Sequence, residues 1–179
     1  MSNLIELAAD RLQKLETNIS GALAAGPNES DTRLKVLDRF LFEVLDWHKD
    51  SSVQTEPLTD SGYIDYLLMI GENHGAMVIE AKRKGKLQPA TKTSDVMHVS
   101  LSGPVVKPML PGIRQAMTYA MEQGVAVACV TDGNTWLFFK ASRTDGKKPM
   151  QGKGILFTDL AAVTANLGKF VELLGRGSS

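Results

Sequence analysis

The stretch GYIDYLLMIGENHGAMVIEAKRK, residues 62–84, decides the fold of this 179-residue chain. Two runs within it, 63–70 and 76–81, are rich in β-branched, aromatic and aliphatic residues, which is the composition of buried β-strands. The sequence Gly-Glu-Asn-His at 71–74 separates them and is typical of a tight turn. The stretch therefore predicts a two-stranded hairpin.

Each strand of this hairpin carries one acidic residue among apolar neighbours, Asp65 in the first strand and Glu80 in the second. If Ile70 and Gly75 pair at the turn, the register places Asp65 directly opposite Glu80. Opposed residues of antiparallel strands hold their Cβ atoms about 4.5–5.5 Å apart on one face. Lys82 follows Glu80 by two residues and shares that face. We therefore expect two carboxylates and an ammonium group to converge.

Two close carboxylates raise each other's pKa because their charges repel. A divalent cation between them removes this repulsion, and oxygen ligands alone favour Mg²⁺ or Mn²⁺ over zinc. Such an ion lowers the pKa of a bound water and stabilises charge on a phosphoryl oxygen. Asp65 and Glu80 are thus candidate metal ligands, and Lys82 is a candidate to orient the attacking water or offset charge. The alternative is a surface hairpin with a charged outer face, but apolar residues on both faces indicate burial on both sides.

Two predicted helices add further polar candidates. The helix that precedes the hairpin carries Glu29 in its first turn, within the arc of the apolar Phe40. Glu29 is either a third acid aimed at the hairpin or a residue that stabilises the helix dipole. A later helix at 113–123 carries Gln115 and Tyr119 four residues apart on one face, where they form either a site-facing pair or an ordinary exposed polar pair.

Charge is distributed unevenly although the formal net charge is zero. Residues 1–80 contain 14 Asp and Glu against 6 Lys and Arg, whereas residues 81–179 contain 6 against 14. This asymmetry indicates a face that binds a polyanion. It begins beside the hairpin with a dense run of bases: Lys82, Arg83, Lys84, Lys86 and Lys92. We expect Lys84, Lys86 and Lys92 to contact phosphates; the alternative is a solvated basic loop.

The order of these motifs resembles the PD-(D/E)xK nuclease superfamily, in which Asp65 and Glu80-Ala81-Lys82 match the name-giving residues and Ile64 replaces the proline. In that superfamily a glutamate of the first core helix often joins the metal cluster, as Glu29 would here. The Gln115-x-x-x-Tyr119 pair is similar to a motif of type I and type III restriction nucleases that lies beside the active site. The segments NESDTR and VTDGNTWLFF look most like the N-terminal nuclease domain of type I restriction-enzyme motor subunits.

The resemblance implies Mg²⁺-dependent cleavage of phosphodiester bonds in DNA, with Mn²⁺ as a substitute. It implies catalytic roles for Asp65, Glu80, Lys82 and Gln115, metal ligation by Asp65, Glu80 and Glu29, and substrate contacts by Lys84, Lys86, Lys92, Gln115 and Tyr119. It also implies a restriction or anti-phage setting. Two alternatives stay open: an inactive nuclease-like module that binds nucleic acid or protein, and an effector that cuts RNA.

Length and element order predict an α/β fold, a restriction-endonuclease-like core with a mixed central sheet flanked by helices. We expect a single nuclease domain at 1–175, with an N-terminal helix at 1–25 and the nuclease core at 28–174. The intervening segment 85–112 has little periodicity and is predicted to be a long loop, a candidate flap over substrate. Residues 176–179, Arg-Gly-Ser-Ser, look like a cloning remnant, so the chain is expected to be a piece of a longer protein.

Composition also excludes several classes of protein. No run of 18 apolar residues occurs, so we expect no membrane span. The single cysteine, Cys129, excludes a disulfide within the chain and a cysteine-rich metal site, and a cytoplasmic location is expected. A Walker-type phosphate loop is absent from the sequence, so an ATPase/translocase or a sensor domain would be a partner elsewhere in the full-length protein.

Overall fold

A seven-stranded mixed sheet forms the centre of the computed structural model, which describes residues 2–71 and 74–175. Within these residues the strands are β1 Val53–Thr55, β2 Leu58–Thr59, β3 Gly62–Tyr63, β4 Tyr66–Met69, β5 Gly75–Ala81, β6 Val96–Ser100, β7 Val127–Thr131, β8 Trp136–Lys140 and β9 Lys153–Phe157. The sheet order is β1-β4-β5-β7-β8-β9-β6, while β2 and β3 form a separate small hairpin. Strands β5 and β7 are parallel and the other neighbours are antiparallel. The predicted mixed sheet is confirmed.

The helices cover both faces of the sheet. They are α1 Ser2–Ala24, α2 Glu29–Thr32, α3 Leu110–Glu122, α4 Leu160–Ala165 and α5 Leu167–Leu174. Asn28 caps α2, and its side chain accepts a hydrogen bond from the Asp31 amide at 2.8 Å. Beyond α2 the chain continues in wide π-helical turns, Arg33–Leu37 and Arg39–Val44. Such turns are rare in proteins as a whole, and those that occur are often found at functional sites.

Two apolar layers hold the helices to the sheet. On one face α1, the π-helical turns, α4 and α5 pack on alternate strand residues around an aromatic cluster. In that cluster Phe170 makes edge-to-face contacts with four rings, at centroid distances of 5.1–5.9 Å: Phe40, Trp136, Phe138 and Phe157. On the other face α3 covers the strands, with Ile113 and Ala116 fully buried. Both faces of the predicted hairpin are therefore covered.

The predicted register of the hairpin is correct at the acids and wrong at the turn. Tyr66 pairs with Ile79 and Leu68 with Met77, which is the register expected from the sequence. At the turn, however, Met69 rather than Ile70 pairs with Gly75. A bulge on the second strand absorbs one residue, and such bulges are common where a strand begins or ends. Two of the predicted turn residues, at 72–73, lie outside the described residues.

The first predicted strand, 63–70, is divided in two. Its start pairs with β2, where Leu58 faces Tyr63, and its remainder forms β4. Between them Asp65 leaves the ladder, although Glu56 still donates its amide to the Asp65 carbonyl at 3.4 Å. Glu56 itself has φ +55°, a left-handed conformation that non-glycine residues seldom adopt. The interruption turns the Asp65 side chain into a link between strands, as described below.

The prediction of a long loop at 85–112 is wrong for its second half, which contains regular secondary structure. It contains the edge strand β6, which pairs antiparallel with β9, and a 3₁₀ segment at Pro104–Met109. Helix α3 accordingly begins at Leu110, three residues before the predicted start. Val96–Ser100 alternates between buried and exposed residues, as a strand does, but four prolines and three glycines within 85–112 conceal this pattern in the sequence.

The remaining predicted elements are confirmed with small shifts of boundary. The sequence also predicts a short strand at 53–56 and a hairpin of strands at 125–131 and 134–140, and these are β1, β7 and β8. Helix α1, Ser2–Ala24, corresponds to the N-terminal helix predicted at 1–25. Among the described residues no helix is both long and apolar enough to cross a membrane. The predicted tail at 176–179 lies outside the described residues.

We predict that Phe170→Ala strongly destabilises the fold. The Phe170 side chain is fully buried and contacts four aromatic rings, so truncation leaves a cavity at the centre of one apolar layer. The free energy of unfolding in urea should fall by about 3–5 kcal/mol. The exposed Leu34, with 65% of its surface accessible, provides the control, since Leu34→Ala should change stability by less than about 0.5 kcal/mol. Equal effects in both variants would contradict the packing described here.

Candidate active site

Asp65 joins the two strands of the hairpin through its side chain. It precedes β4 by one residue, and extension of the Tyr66–Ile79 register places it opposite Glu80. Its Oδ2 accepts a hydrogen bond at 2.7 Å from the backbone amide of Ala81. The carboxylate therefore satisfies a donor at the end of β5 where the ladder is interrupted, and this fixes the Asp65 side chain beside Glu80.

Glu80 lies in a central strand with its carboxylate inside the protein. Strand alternation directs Glu80 toward the α3 face, because its neighbours Ile79 and Ala81 belong to the opposite apolar layer. Only 3% of its side chain is exposed. Oε1 forms an ion pair with Lys82 Nζ at 2.6 Å, whereas Oε2 is buried and has no hydrogen-bond partner within the described chain. A buried, unpaired carboxylate oxygen is costly and calls for an explanation.

Burial and mutual repulsion shift the titration of both acids. Burial raises the pKa of Glu80 to about 7, with a further rise from the charge of Asp65 and an opposing effect of Lys82. Burial also raises the pKa of Asp65, while the Ala81 amide and the Arg33 guanidinium oppose that rise. The charge of Glu29 raises both pKa values, so Glu29 lies near enough to act on the pair electrostatically. Repulsion between the carboxylates thus acts as predicted on Glu80.

Lys82 lies beside helix α3 at Gly112. A Cβ atom built on Gly112 would lie at an ordinary distance of 3.6 Å from both Cγ and Cε of Lys82, but only 2.8 Å from Val130 Cγ2. The clash with Val130 means that glycine is needed for α3 to approach β7 this closely. The Lys82 amide donates to the Thr131 carbonyl at 2.7 Å, which continues the parallel pairing of β5 and β7. The predicted convergence of Asp65, Glu80 and Lys82 is present in the structure.

Arg33 is a member of the site that the sequence analysis missed. Its Nη1 lies 3.1 Å from Asp65 Oδ1 and 2.8 Å from Glu56 Oε1. The guanidinium also stacks over the ring of Tyr66, 5.5 Å from its centroid. Arg33 follows Glu29 by four residues and so shares a helix face with it, a signal that could have identified the residue.

Gln115 and Tyr119 lie together on α3, as predicted. Gln115 Nε2 donates to the Tyr119 hydroxyl at 3.0 Å. Tyr119 is buried, and a Cβ built on Gly62 would lie 2.9 Å from its hydroxyl, so the pair packs against the start of β3. Gln115 is half-buried one turn after Gly112, the residue that contacts Lys82. Gln115 therefore lies on the part of α3 that is near Lys82, while Tyr119 packs against the small β2–β3 hairpin.

The three lysines expected to contact phosphates differ in their surroundings. Lys84 Nζ donates to the Leu23 carbonyl at 2.5 Å, near the C-terminus of α1. Lys92 forms ion pairs with Asp159 at 2.7 Å and Asp95 at 3.3 Å. Lys86 is exposed. A phosphate would have to replace protein partners at Lys84 and Lys92, so their role as substrate contacts stays a prediction.

In the sequence, Asp132-Gly133 predicts an ordinary tight turn between two strands, but Asp132 has a larger role in the structure. It is almost fully buried, and its Oδ1 accepts from the amides of Asn134 and Thr135 at 3.1 and 2.8 Å. Its Oδ2 accepts from the Gly85 amide at 2.8 Å. Asp132 thus ties the β7–β8 turn to the chain that leaves Lys82. No sequence signal distinguished this role, since an aspartate before glycine is ordinary turn chemistry.

The residues present fit a divalent cation in part. The unpaired Oε2 of Glu80 beside the Asp65 carboxylate is the environment that such an ion would satisfy. The described residues contain no group of three or more His, Cys, Asp or Glu side chains placed to hold a metal ion. Glu29 is exposed and acts here through its charge, so its role as a third ligand stays a prediction.

No protein-family model matches the chain, and no curated protein matches it. Among solved structures the chain is similar to the type IIG restriction endonuclease BpuSI, with 18% identity and a TM-score of 0.44. The match covers 70% of this chain and 14% of that one, so the chain spans about one seventh of the length of the solved protein.

We predict that Glu80→Gln changes the pH dependence of stability. Because the folded pKa of Glu80, about 7, exceeds its ordinary value of 4.5, the folded state holds a proton that the unfolded state releases. This contribution is complete below pH 4.5 and is lost as the pH rises through about 7. From pH 4.5 to 8 the wild-type free energy of unfolding should fall by about 3 kcal/mol relative to Glu80→Gln.

Urea unfolding across this pH range measures the effect. Glu172→Gln, which changes an exposed glutamate, is the matched control and should follow the wild type at every pH. Parallel pH profiles for wild type and Glu80→Gln would show that the carboxyl of Glu80 titrates normally and would contradict the described burial.

Proposed function

We propose that this domain is a metal-dependent endonuclease that hydrolyses phosphodiester bonds in DNA. The observation that supports the proposal is the buried, unpaired Oε2 of Glu80 beside Asp65, with Lys82 on the same face. A buried carboxylate in this position lowers the stability of the protein at neutral pH. Carboxyl groups whose pKa is shifted in this way are concentrated at functional sites of proteins. The order of motifs from Glu29 to Tyr119, which resembles the PD-(D/E)xK nucleases, agrees with this chemistry.

In this proposal Asp65 and Glu80 hold Mg²⁺, or Mn²⁺ in its place, and Glu29 approaches as a third ligand. The bound ion supplies an activated water and stabilises charge on the phosphoryl group. Lys82 presents its ammonium group beside Glu80, where it offsets developing negative charge. Gln115, one turn along α3 from the residue that contacts Lys82, positions substrate near these groups.

The setting proposed for the domain is a restriction or anti-phage effector. It follows from the resemblance to type I restriction subunits, in which the nuclease domain is one part of a longer protein. An ATPase/translocase or a sensor domain would then accompany it in the full-length protein. RNA is the competing substrate, and cleavage assays with both nucleic acids distinguish them.

The first functional prediction is that purified protein nicks plasmid DNA with Mg²⁺ and loses this activity in EDTA. Glu80→Gln and Asp65→Asn should each reduce nicking by at least about 100-fold, because either change removes a charged ligand of the ion. Glu172→Gln, an exposed glutamate elsewhere, should retain full activity. Wild-type rates in Glu80→Gln would overturn the assignment. DNA binding without cleavage under any metal would favour the inactive binding module.

A second functional prediction separates catalysis from binding at Lys82. If its ammonium acts in the chemical step, Lys82→Ala should lower the single-turnover cleavage rate by about 100-fold or more and DNA affinity by less than about threefold. Lys82→Arg should not restore activity, because a guanidinium is larger and planar and directs its donors differently from an ammonium group. Lys153→Ala, which changes an exposed lysine at the start of β9, is the control and should leave both rate and affinity unchanged. Equal losses of rate and affinity in Lys82→Ala would make it a phosphate contact only.

A further inference from the structure

The two carboxylates of the candidate site are neutralised unequally. Asp65 is satisfied at both oxygens, by the Ala81 amide at Oδ2 and by Arg33 at Oδ1. Glu80 is satisfied at one oxygen by Lys82. The site therefore already contains two cationic side chains for two acids. A divalent cation that binds between the acids raises the net charge of these groups from zero to +2, so repulsion favours the release of one cationic side chain, which lowers it to +1.

Arg33 is the cation for which a second position exists. Its Nη1 lies closer to Glu56 Oε1, at 2.8 Å, than to Asp65 Oδ1, at 3.1 Å. Arg33 can therefore release Asp65 and still keep an ion pair. Within the described residues Lys82 has its single ion pair with Glu80, and its stem is packed against α3. The cost of release is thus lower for Arg33 than for Lys82.

The surroundings of Arg33 suit a short displacement of the guanidinium. The group stacks on the ring of Tyr66, which is fixed by a 2.7 Å hydrogen bond from its hydroxyl to Asp38 Oδ1. The Glu56 side chain is 62% exposed and therefore has room to follow the guanidinium. Arg33 Nε is buried without a hydrogen-bond partner among the described residues, so the present position does not satisfy all of its donors.

We propose that Arg33 is a positioning residue that neutralises Asp65 in the metal-free protein and, when a divalent cation binds, releases Asp65 and keeps Glu56 as its partner. This inference rests on the proposed function, because it requires that Asp65 and Glu80 hold the ion. Arg33 and the ion compete for Asp65 Oδ1, and Glu56 determines how easily Arg33 yields. The exchange keeps Asp65 in place before the ion arrives and makes ion affinity depend on two residues outside the acid pair.

The test is calorimetric titration of Mn²⁺ into wild type, Arg33→Gln and Glu56→Gln, with thermal unfolding before and after addition of Mn²⁺. Arg33→Gln removes the competitor, so the melting temperature without metal should fall while Mn²⁺ affinity rises roughly five- to tenfold. Glu56→Gln removes the alternative partner, so Arg33 stays on Asp65 and Mn²⁺ affinity should fall severalfold. A purely structural role would weaken Mn²⁺ binding in both variants or leave it unchanged, and either result overturns the inference.

Two further proteins complete the experiment. Arg143→Gln is the matched control, because Arg143 has the same 22% side-chain exposure as Arg33 and pairs with Asp145 away from the acids. It should leave Mn²⁺ affinity unchanged. If Arg33→Gln does not fold, Arg33→Lys keeps the charge and tests the exchange in its place. Its Mn²⁺ affinity should lie between that of wild type and that expected for Arg33→Gln. An affinity in Arg33→Lys no higher than in wild type would then count against the exchange.

The outcomes separate this inference from the proposed function. In one outcome, wild type and Arg33→Gln bind Mn²⁺ equally well and Glu80→Gln does not bind it. This result would overturn the role of Arg33 alone. An absence of Mn²⁺ binding in wild type and in Arg33→Gln would overturn both. Binding that is seen in Arg33→Gln but not in wild type would support the competition directly.

Discussion

The burial of the Glu80 carboxylate in a central strand is the constraint on which the rest of the site depends. A charged group inside a protein costs several kcal/mol unless ion pairs and hydrogen bonds compensate it. Here the compensation is incomplete, because Lys82 reaches one oxygen and the other has no partner in the described chain. Glu80 cannot turn outward, since both faces of the sheet are covered by helices.

The Asp65 carboxylate is also largely buried, but both of its oxygens have partners. The interruption between β3 and β4 lets its carboxylate accept the Ala81 amide, and Arg33 supplies the balancing charge. Burial raises the pKa of both acids, so the charge of each is less favourable in the folded state than in the unfolded state, but only Asp65 also has a structural role. Asp65 links two strands and holds a cation, so its loss removes structure, whereas the loss of the Glu80 charge relieves strain at neutral pH. The repulsion expected from the sequence acts on Glu80, whose pKa the charge of Asp65 raises, but the protein compensates the two carboxylates unequally.

The sequence predicts the part of the site that strand geometry determines. The prediction that Asp65 lies opposite Glu80 follows from the two-residue period of a strand. The predicted pairing at the turn is wrong by one residue, but the bulge near Gly75 lies beyond the acids and does not change their register. Arg33 and Asp132 depend instead on how distant segments approach: a helix against β4 in one case and the β7–β8 turn against the chain after Lys82 in the other. Edge strand β6 was missed because its short alternation is surrounded by proline and glycine.

The distribution of charge shows why a count of bases in the sequence is a poor guide to a binding face. Of the basic run that follows the hairpin, Lys84 stabilises the C-terminal end of α1 and Lys92 is paired with two aspartates. The two cations that contact the acids come from different halves of the chain, Lys82 from the basic half and Arg33 from the acidic half. Attraction of a polyanion to this site therefore depends less on the net charge of either half than on whether Arg33 stays bound to Asp65. A cation committed to a carboxylate adds little to the field that an approaching phosphate experiences.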